Sequence, residues 1–497
     1  MKIFLSFAGC FLLLFSLGCG AGPGINGISP STGGYSNSSL SGSYVYQLAG
    51  SDVSSGVTAV PYEESGVFIA DGKGNITGGV DDATEEGTGT ALGNTISGTY
   101  TIASDGTGSI TLNGTAFQST NFVVTLGSSS TVYMVEADAL NASGTAQLQD
   151  SSAISAAPSG TFAFRMHTTS AQGVSVATVG QFTVSAGVFQ SGSVDVNQSG
   201  TASSPTLTNF TFNAPISDGR GTGNFTESLG ATASFNYYIV DGNNVRMLVT
   251  DTSANVGGHG VAEKQTGGPF SASSFSGSYA FGSEGDDNSS IDAVNTVGQF
   301  TASAGSITGA YDSVQDSTPL NNVPITAGSY QLASNGRVTA TFTSSSGTVS
   351  RIFWMVGPSR AFFITANNPT DGSLTEDGTA DLQQTTPFST STINGQFALT
   401  MQGVNPSFFI DRVGTLKWDG AGKLTLNEFV NDTGSGSSPG ILTGTYAVSS
   451  NGRATGTINS LSVNSNDLVF YMISNTDGYV LQEDSGTELM GMISQQR

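Results

Sequence analysis

Residues 98–113 read GTYTIASDGTGSITLN, and their pattern of residues indicates the fold class. Apolar residues alternate with threonine on both sides of the dipeptide Asp105-Gly106, as in Tyr100-Thr101-Ile102 and Ile110-Thr111-Leu112. Alternation of apolar and polar residues on both sides of an Asp-Gly dipeptide is typical of an antiparallel β-hairpin. We expect a two-residue hairpin turn here, because both central residues of such a turn need a positive φ.

The same signals recur four times, at a spacing of about 117 residues. Each copy opens on a Gly-x-aromatic strand and later carries an Asp-Gly or Asn-Gly dipeptide. The openings are Ser41-Gly42-Ser43-Tyr44, Ser159-Gly160-Thr161-Phe162, Ser276-Gly277-Ser278-Tyr279 and Asn394-Gly395-Gln396-Phe397. The dipeptides are Asp105-Gly106, Asp218-Gly219, Asn335-Gly336 and Asn451-Gly452. Repetition at this length indicates a tandem array of domain-sized units.

The repeat boundaries divide the chain into six segments. We predict a signal peptide at 1–18, a flexible tether at 19–40, and β-domains at 41–150, 159–266, 276–385 and 394–497. The joints between the domains are short and rich in small or turn residues. Exposed joints of this kind are preferred sites of proteolysis, so we expect cleavage there.

The strand pattern within a unit predicts an all-β fold. In the third unit we count eight strands, near 277–282, 297–303, 306–311, 328–333, 337–343, 350–356, 361–366 and 378–384. Eight short strands joined mainly by hairpins favour an up-and-down barrel, which leaves no sheet edge exposed. A two-sheet β-sandwich and a propeller with two blades per unit are the alternatives.

The N-terminus indicates export. A short apolar run from Ile3 to Leu17 follows Lys2 and ends at small residues, which is typical of a signal peptide. The run is too short for a membrane span. Ser16-Leu17-Gly18-Cys19 resembles the lipobox of bacterial lipoproteins, although Ser16 stands where that motif usually has Leu, Val or Ile. The resemblance implies a lipid on Cys19 and an anchor in the cell envelope, at the outer membrane or cell surface; ordinary cleavage, for instance after Ala21, is the alternative.

In layout, each unit resembles the eight-stranded calycin barrels of lipocalins and avidins. The likeness rests on the opening strands and on second strands that begin Gly66-Val67-Phe68, Gly180-Gln181-Phe182 and Gly298-Gln299-Phe300. The lipocalin Gly-x-Trp signature and the tryptophans of the avidin site are absent, so the resemblance is one of layout only and implies an eight-stranded barrel. As a whole, the chain is similar to Gly/Ser/Thr-rich tandem β-repeat lipoproteins of bacteria, which implies an envelope location and no particular activity.

Charge and cysteine content exclude several classes of protein. With 14 Lys and Arg against 37 Asp and Glu, the formal net charge is −23, which would repel nucleic acid. Cys10 and Cys19 are the only cysteines, so a mature chain has neither a disulfide nor a thiolate metal site.

Acidic residues offer two candidate sites in the first unit. Residues 71–75 carry oxygens at a spacing suited to calcium, but the other units keep the turn residues and not the oxygens, so we interpret them as a hairpin turn. Glu63-Glu64, Asp81-Asp82 and Glu85-Glu86 could supply a hydrolase with paired carboxylates. We interpret these three pairs as solvated loop charge.

Histidines and aromatic residues are the remaining candidates. His167 and His259 lack the spacing of metal ligands, and we interpret them as unpaired. Aromatic residues recur on strands, at Phe122, Tyr237-Tyr238, Phe353-Trp354 and Phe470-Tyr471. Adjacent residues of a strand point to opposite faces, so one ring of each pair is core and the other can stack on a sugar or a neighbouring domain.

These observations predict a non-enzymatic lipoprotein of the cell envelope. We expect no catalytic residue, cofactor or metal ligand, and lipidation at Cys19. The four β-domains would serve surface binding or adhesion, or act as a structural spacer, with the membrane and a surface ligand or polysaccharide as partners and no nucleic acid. A carrier of small apolar ligands in the barrel lumens, and an envelope hydrolase that uses the carboxylates of the first unit, are the alternatives.

Overall fold

The structure is a computed structural model that shows four closed antiparallel barrels of eight strands each. It describes residues 34–496 except 53–59, 87, 118, 129, 139, 170–173, 252–256, 288–291, 316–317, 369–371, 373, 385–386, 405–408, 433–434, 439, 460–465 and 485–486. The predictions of an all-β fold and of up-and-down barrels are confirmed, in place of the sandwich and the propeller. The predicted signal peptide and Cys19 lie outside the described residues.

The strands follow one another in the same order in each barrel. Barrel 1 has β1 Ser41–Asp52, β2 Val60–Asp71, β3 Asn75–Glu85, β4 Gly89–Thr95, β5 Ser97–Ile102, β6 Thr107–Asn113, β7 Asn121–Ser128, β8 Thr131–Glu136 and β9 Leu140–Leu148. Barrel 2 has β10 Gly160–Thr169, β11 Ser175–Ser185, β12 Val188–Gln198, β13 Thr201–Ser203, β14 Leu207–Phe212, β15 Arg220–Glu227, β16 Thr232–Asp241, β17 Asn244–Val249 and β18 Gly257–Lys264.

Barrels 3 and 4 repeat this order. Barrel 3 has β19 Gly277–Asp287, β20 Asp292–Ser303, β21 Ser306–Gln315, β22 Thr318–Ile325, β23 Ala327–Leu332, β24 Arg337–Ser344, β25 Gly347–Gly357, β26 Arg360–Asn367 and β27 Leu374–Leu382. Barrel 4 has β28 Asn394–Val404, β29 Phe409–Asp419, β30 Lys423–Asp432, β31 Ser435–Ser437, β32 Ile441–Val448, β33 Arg453–Asn459, β34 Asn466–Met472, β35 Asp477–Gln482 and β36 Glu488–Gln495. Short 3-10 helices span Asn37–Ser39, Ala272–Ser274 and Thr390–Thr392.

Strand pairing closes barrels 1, 3 and 4, and in barrel 2 the strands β12 and β14 lie side by side at the closure, where the N–H of Phe212 donates to the carbonyl of Gly187 at 2.9 Å. In barrel 1, β1 pairs with both β2 and β9, and β2 pairs with β3. Two strands, β4 and β5, pair with successive parts of β3, so they form one bent strand. The barrel wall therefore consists of eight strands. The strand count for the third unit missed the first half of its bent strand, β22, whose alternation is broken by two prolines.

The Asp-Gly and Asn-Gly connections differ from the predicted two-residue turns. In barrel 1 the connection runs over four residues, and the N–H of Gly106 donates to the carbonyl of Ala103 at 3.0 Å. Only the glycine has a positive φ, of 84°. The carboxylate of Asp105 accepts the N–H of Thr107 at 3.1 Å. The acidic or amide residue is therefore used for its side-chain acceptor, while only the glycine adopts the left-handed region.

Apolar side chains fill the lumens. Barrel 2 holds a cluster of phenylalanines in which the ring centroids of Phe182 and Phe210 are 4.1 Å apart. Barrel 4 is centred on the fully buried Trp418, which packs against Tyr446 and Phe470. Clusters of the same kind occupy barrels 1 and 3. Strand alternation thus places one apolar set of side chains in each lumen, as the period of two predicts.

The four barrels form a closed ring. Separate apolar clusters join barrel 1 to barrel 2, barrel 2 to barrel 3, and barrel 3 to barrel 4. A fourth cluster joins barrel 4 back to barrel 1 and contains Val123, Tyr133 and Val135 of barrel 1 with Ala398, Val413 and Phe429 of barrel 4. In every case the first strands of one barrel pack against the last strands of the next.

One glutamine contact recurs at all four junctions. The side-chain amide of Gln149 donates to the carbonyl of Ile239 in the next barrel at 2.8 Å. Gln265 and Gln383 make the equivalent bonds to Met355 and Met472. At the end of the chain, Gln496 donates to the carbonyl of Leu126 in barrel 1 at 2.8 Å, which closes the ring.

All four barrels point the same way around the ring. The glutamine contacts join strand ends at the side of the Asp-Gly and Asn-Gly connections, which we call the turn face. At the opposite side, Asn197 donates to the carbonyl of Leu374, and Asn431 donates to that of Leu140. We call this side the loop face; it holds the strand ends at Asp52 and Val60 and their counterparts in the other barrels.

The described N-terminal residues lie at the turn face. Leu40 is fully buried in barrel 1, and the side-chain carbonyl of Asn37 accepts the N–H of Ile102 at 2.8 Å. Tyr35 lies beside Gly106 in the turn-face connection of the same barrel. Within the described residues, no helix is both long and apolar enough to cross a membrane.

The ring predicts the outcome of proteolysis at the joints. Phe270 and Phe275, in the joint before barrel 3, are buried in the core of that barrel, with exposures of 5% and 0%. We expect a single nick in this joint to leave all four barrels associated, because each barrel keeps two apolar interfaces. Gel filtration of the nicked protein should then give the intact mass, while a denaturing gel shows two fragments. Separation of the fragments without denaturant would contradict the ring.

Candidate functional site

The acidic pairs of barrel 1 lie on strands, so their interpretation as solvated loop charge is wrong for two of the three. Because side chains alternate along β2 and β3, Glu64 and Asp81 point into the lumen. Glu63 and Asp82, the other members of the two pairs, point outward towards barrel 2. Glu64, Asp81 and Asp82 are all fully buried. Only Glu85 and Glu86, at the end of β3, lie at the loop face and keep part of their surface exposed.

Glu64 and Asp81 belong to a buried carboxyl cluster that also contains Glu136. The hydroxyl of Tyr46 donates to Asp81 at 2.8 Å and lies 3.4 Å from Glu64. Ser119 lies between the other two carboxyl groups, 2.7 Å from Oε2 of Glu64 and 3.1 Å from Oε2 of Glu136. Three carboxyl groups therefore share hydroxyl donors inside one lumen. Glu136 could not be found by the sequence argument, because nothing near it repeats the paired-acid pattern.

Burial changes the protonation of this cluster. It raises the pKa of Glu64 well above its usual range, and the adjacent Asp81 and Glu136 raise it further. Burial likewise raises the pKa of Glu136 well above its usual range and raises the pKa of Asp81. Because ionised carboxylates at this spacing repel one another inside the lumen, the cluster binds protons more tightly than exposed carboxyl groups do. All three side chains are fully buried, so the cluster is closed off from solvent.

The outward carboxylates bind the next barrel. Asp82 accepts two hydrogen bonds from the Arg220 guanidinium, at 2.6 and 2.8 Å, and a third from the Tyr238 hydroxyl. The same three-residue arrangement joins the next two pairs of barrels. Its members there are Asp195 with Arg337 and Trp354, and Asp312 with Arg453 and Tyr471. Each arginine directly follows an Asp-Gly or Asn-Gly dipeptide.

The closing junction departs from this arrangement on both sides. By strand register, the position of Asp82 is taken in barrel 4 by Phe429, which lies opposite Val413. In barrel 1, Thr107 takes the position of the arginine and Thr125 that of the aromatic residue. The two threonines are paired directly on adjacent strands, as Arg220 and Tyr238 are in barrel 2. Loss of the carboxylate is thus matched by loss of the guanidinium, and neither charge is left unpaired.

These contacts decide between the two roles foreseen for the outward aromatic rings. Tyr238, Trp354 and Tyr471 are each fully buried against a neighbouring barrel. Their partners in the adjacent pairs, Tyr237, Phe353 and Phe470, are core residues of their own barrels. The outward rings therefore stack on a neighbouring domain, and they are not free to bind a sugar.

The two histidines face each other, so their interpretation as unpaired is wrong. His167 on β10 lies directly opposite His259 on β18, and their ring centroids are 6.3 Å apart. Nδ1 of His167 lies 2.8 Å from Asp377 of barrel 3, and Nδ1 of His259 lies 3.0 Å from Glu63 of barrel 1. Strand pairing, which is invisible in linear spacing, brings them together.

Polar side chains at equivalent positions in other barrels also join neighbouring barrels of the ring. The Ser143 hydroxyl of barrel 1 donates to Gln402 of barrel 4 at 2.9 Å. Gln402 in turn donates to Glu284 of barrel 3 at 2.7 Å. By strand register, Gln402 and Glu284 occupy the same position in their barrels as His167 does in barrel 2.

The calcium-like stretch folds on itself. Asp71 accepts the backbone N–H groups of Lys73 and Asn75, at 2.7 and 3.0 Å, and the Asn75 amide at 2.7 Å. The Asn75 side-chain bond is the main cause that lowers the pKa of Asp71 to about 2. Across the described residues, no group of three or more His, Cys, Asp or Glu side chains is arranged to hold a metal ion.

Charge is distributed unequally between the two faces. The four lysines of the described chain, Lys73, Lys264, Lys417 and Lys423, all lie at turn-face ends of strands. The connections between loop-face strand ends contain neither Lys nor Arg in their sequences. Ser, Thr, Gly and Asn are frequent in them, apolar residues such as Val53, Phe117 and Leu229 also occur, and their charged residues are all acidic, so the loop face is acidic and rich in hydroxyl groups.

Two polar clefts lie at junctions on the turn face. One, of about 630 Å³, separates barrels 4 and 1 and is lined by Tyr35, Ser130, Asp477 and Ser494 among others. The other, of about 520 Å³, lies between barrels 3 and 4 beside Gln383 and Asn451. Neither contains residues of the carboxyl cluster or either histidine.

Comparisons with known proteins give little beyond this geometry. No family model matches the chain, and no curated protein matches it. Among solved structures, it is similar to a double mutant of the vaccine antigen transferrin binding protein B from Haemophilus parasuis, with 9% identity and a TM-score of 0.19 over 73% of this chain and 82% of that one. It is also similar to isotype 1 transferrin binding protein B from serogroup B Neisseria meningitidis, with 8% identity and a TM-score of 0.21 over 74% of this chain and 83% of that one. Similarity at this level carries no argument about function.

Proposed function

We propose that this chain is a non-enzymatic lipoprotein of the bacterial cell envelope whose ring of four barrels presents the loop face for binding. The observation that carries the proposal is the direction of the barrels. All loop-face strand ends lie on one side of the ring, and the described N-terminal residues lie on the other. A chain anchored through Cys19 would therefore turn its loop face away from the membrane.

The ring suits display because its connections are held by a rigid frame. Loops that carry binding residues work best on a scaffold that fixes their positions. Here each barrel is fixed by two apolar interfaces, and three of the four junctions also contain an ion pair between an arginine and a buried carboxylate. A binding surface that spans four barrels would thus keep its shape. An envelope polysaccharide or another surface ligand rich in hydrogen-bond donors fits the acidic, hydroxyl-rich loop face.

Two alternative functions are less well supported. A carrier of apolar ligands needs an empty lumen, and the lumens are filled by side chains such as the Phe182–Phe210 stack and Trp418. A hydrolase needs paired carboxylates at the wall of a cleft, and Glu64 and Asp81 are paired but fully buried. These findings favour the display function over both.

Single cysteines placed on opposite faces test the orientation. Ser345 and Ser334 are exposed serines of barrel 3, at the loop face and the turn face respectively. With Cys19 acylated, Ser345→Cys or Ser334→Cys gives a chain with one free thiol. On intact cells we expect a bulky polyethylene glycol maleimide to label Ser345→Cys faster than Ser334→Cys, because the membrane shields the turn face.

The matched control removes the anchor. When Cys19→Ala releases the protein, both positions should label at the same rate. Faster labelling at Ser334→Cys on cells would reverse the orientation, and protection of both positions would place the ring away from the cell surface. A Cys19→Ala chain that stays in the membrane fraction would contradict the lipid anchor itself.

A further inference from the structure

The chain has only two histidines, and the fold brings both to one place in barrel 2, where barrels 1 and 3 contact it. His167 and His259 lie on adjacent strands of barrel 2 in direct register, with 24° between their ring planes. Their side chains keep 18% and 19% of their surface exposed, so solvent reaches the pair. Neighbouring barrels surround them on both sides.

The carboxylates that bind these histidines leave the same ring nitrogen free on each. Asp377 of barrel 3 binds Nδ1 of His167, and Glu63 of barrel 1 binds Nδ1 of His259. A carboxylate on Nδ1 fixes the ring orientation and directs a lone pair to Nε2, as is usual around histidines that bind metals. The Asp377 side chain is 1% exposed, so this partner is itself held in place.

We propose that Nε2 of His167 and Nε2 of His259 together bind one divalent transition-metal ion of the Zn²⁺, Ni²⁺ or Cu²⁺ class. Imidazole is a preferred ligand of these ions. Two protein ligands are fewer than a preformed site has, and water completes the coordination. Asp286 of barrel 3, with an oxygen 3.9 Å from Nε2 of His167 and 43% of its side chain exposed, is placed to hydrogen-bond such a water.

The ring separation requires a small adjustment. Two imidazoles on one tetrahedral ion, with metal–nitrogen bonds of about 2.0 Å, have centroids about 5 Å apart. The observed centroid separation is 6.3 Å, so the two rings must approach by about 1 Å to share an ion. Because Asp377 belongs to barrel 3 and Glu63 to barrel 1, an ion bound by both histidines would link barrel 2 to both of its neighbours.

Copper spectroscopy on the lipid-free Cys19→Ala chain tests the site directly. We expect one equivalent of Cu²⁺ to show superhyperfine coupling to two imidazole nitrogens, and titration with Ni²⁺ to give one saturable site. His167→Gln and His259→Gln should each reduce the coupling to a single nitrogen and abolish saturable Ni²⁺ binding. Asp71→Asn, in the calcium-like turn, is the matched control and should change nothing.

A wild-type copper spectrum without nitrogen coupling would overturn the proposal, and so would saturable Ni²⁺ binding that survives in both glutamine variants. The wild-type spectrum alone decides the question if a variant does not fold. Labelling of the two faces on cells is independent of the metal, so failure of this site and failure of the display function would be told apart.

Discussion

Phe429→Asp should strongly destabilise the junction that closes the ring. Phe429 is fully buried in the apolar cluster that joins barrels 4 and 1. A carboxylate there has no guanidinium to meet, because barrel 1 carries Thr107 where the other barrels carry arginine. An unpaired buried charge costs about 3–5 kcal/mol. We expect a clear fall in melting temperature at neutral pH.

Restoring the partners should reverse the loss. Thr107→Arg and Thr125→Tyr, added to Phe429→Asp, rebuild at the closing junction the arrangement of Asp312, Arg453 and Tyr471. The triple variant should melt above the Phe429→Asp single variant, and Thr107→Arg alone should be destabilising, since its guanidinium then lacks a carboxylate. Equal melting temperatures for the single and triple variants would show that register equivalence does not describe this junction.

A rise in pH above the ordinary pKa of glutamate should weaken barrel 1 through its carboxyl cluster. Glu64 and Glu136 keep protons in the folded chain that an unfolded chain loses near its ordinary pKa of 4.5. A raised folded pKa gives stability that is fully present below the unfolded pKa and is lost as pH rises towards the folded pKa. Each retained proton lowers the free energy of unfolding by about 1.4 kcal/mol per pH unit in that window.

An amide in place of one acid should remove part of this dependence. Barrel 4 carries Gln482 at the register of Glu136, so a glutamine suits the position. We expect Glu136→Gln to be more stable than wild type at pH 8 and to lose less stability between pH 5 and pH 8, measured by denaturant unfolding. Glu85→Gln, at the loop face, is the control and should follow wild type. A steeper loss in Glu136→Gln would mean that the cluster is ionised in the folded chain.

The sequence predicted what lies inside each barrel better than what lies between barrels. Alternation around Asp105-Gly106 and its counterparts is a local signal, and it was sufficient for the strands and the barrel. The predicted turn type was wrong because aspartate is common in turns for two reasons. It can adopt a positive φ, and its side chain can accept a backbone hydrogen bond. The broken strand β22 was missed because its two prolines and adjacent asparagines interrupt the period of two.

The ring could not be predicted from single positions. An outward aspartate on a strand, such as Asp195, looks like a solvated residue until its partner in another barrel is known. A signal was nevertheless present, because arginine follows the turn dipeptide in three units and threonine follows it in the first. The position that pairs with this arginine is an aspartate in barrels 1 to 3 and Phe429 in barrel 4. The two patterns together distinguish three junctions that contain an ion pair from one junction that is apolar. The histidine pair needed strand register, which no linear spacing shows.

A disulfide across the closing junction tests the ring most directly. A Cβ built at Gly127 of barrel 1 lies 3.6 Å from Cβ of Ser494 in barrel 4, within the range that a disulfide spans. Gly127→Cys with Ser494→Cys, in the Cys19→Ala chain, should oxidise to a monomer that migrates faster on a non-reducing gel. Gly127→Cys with Ser334→Cys is the control and should stay reduced. A mature Gly127→Cys, Ser494→Cys chain that stays reduced, or that forms only dimers, would contradict the closed ring.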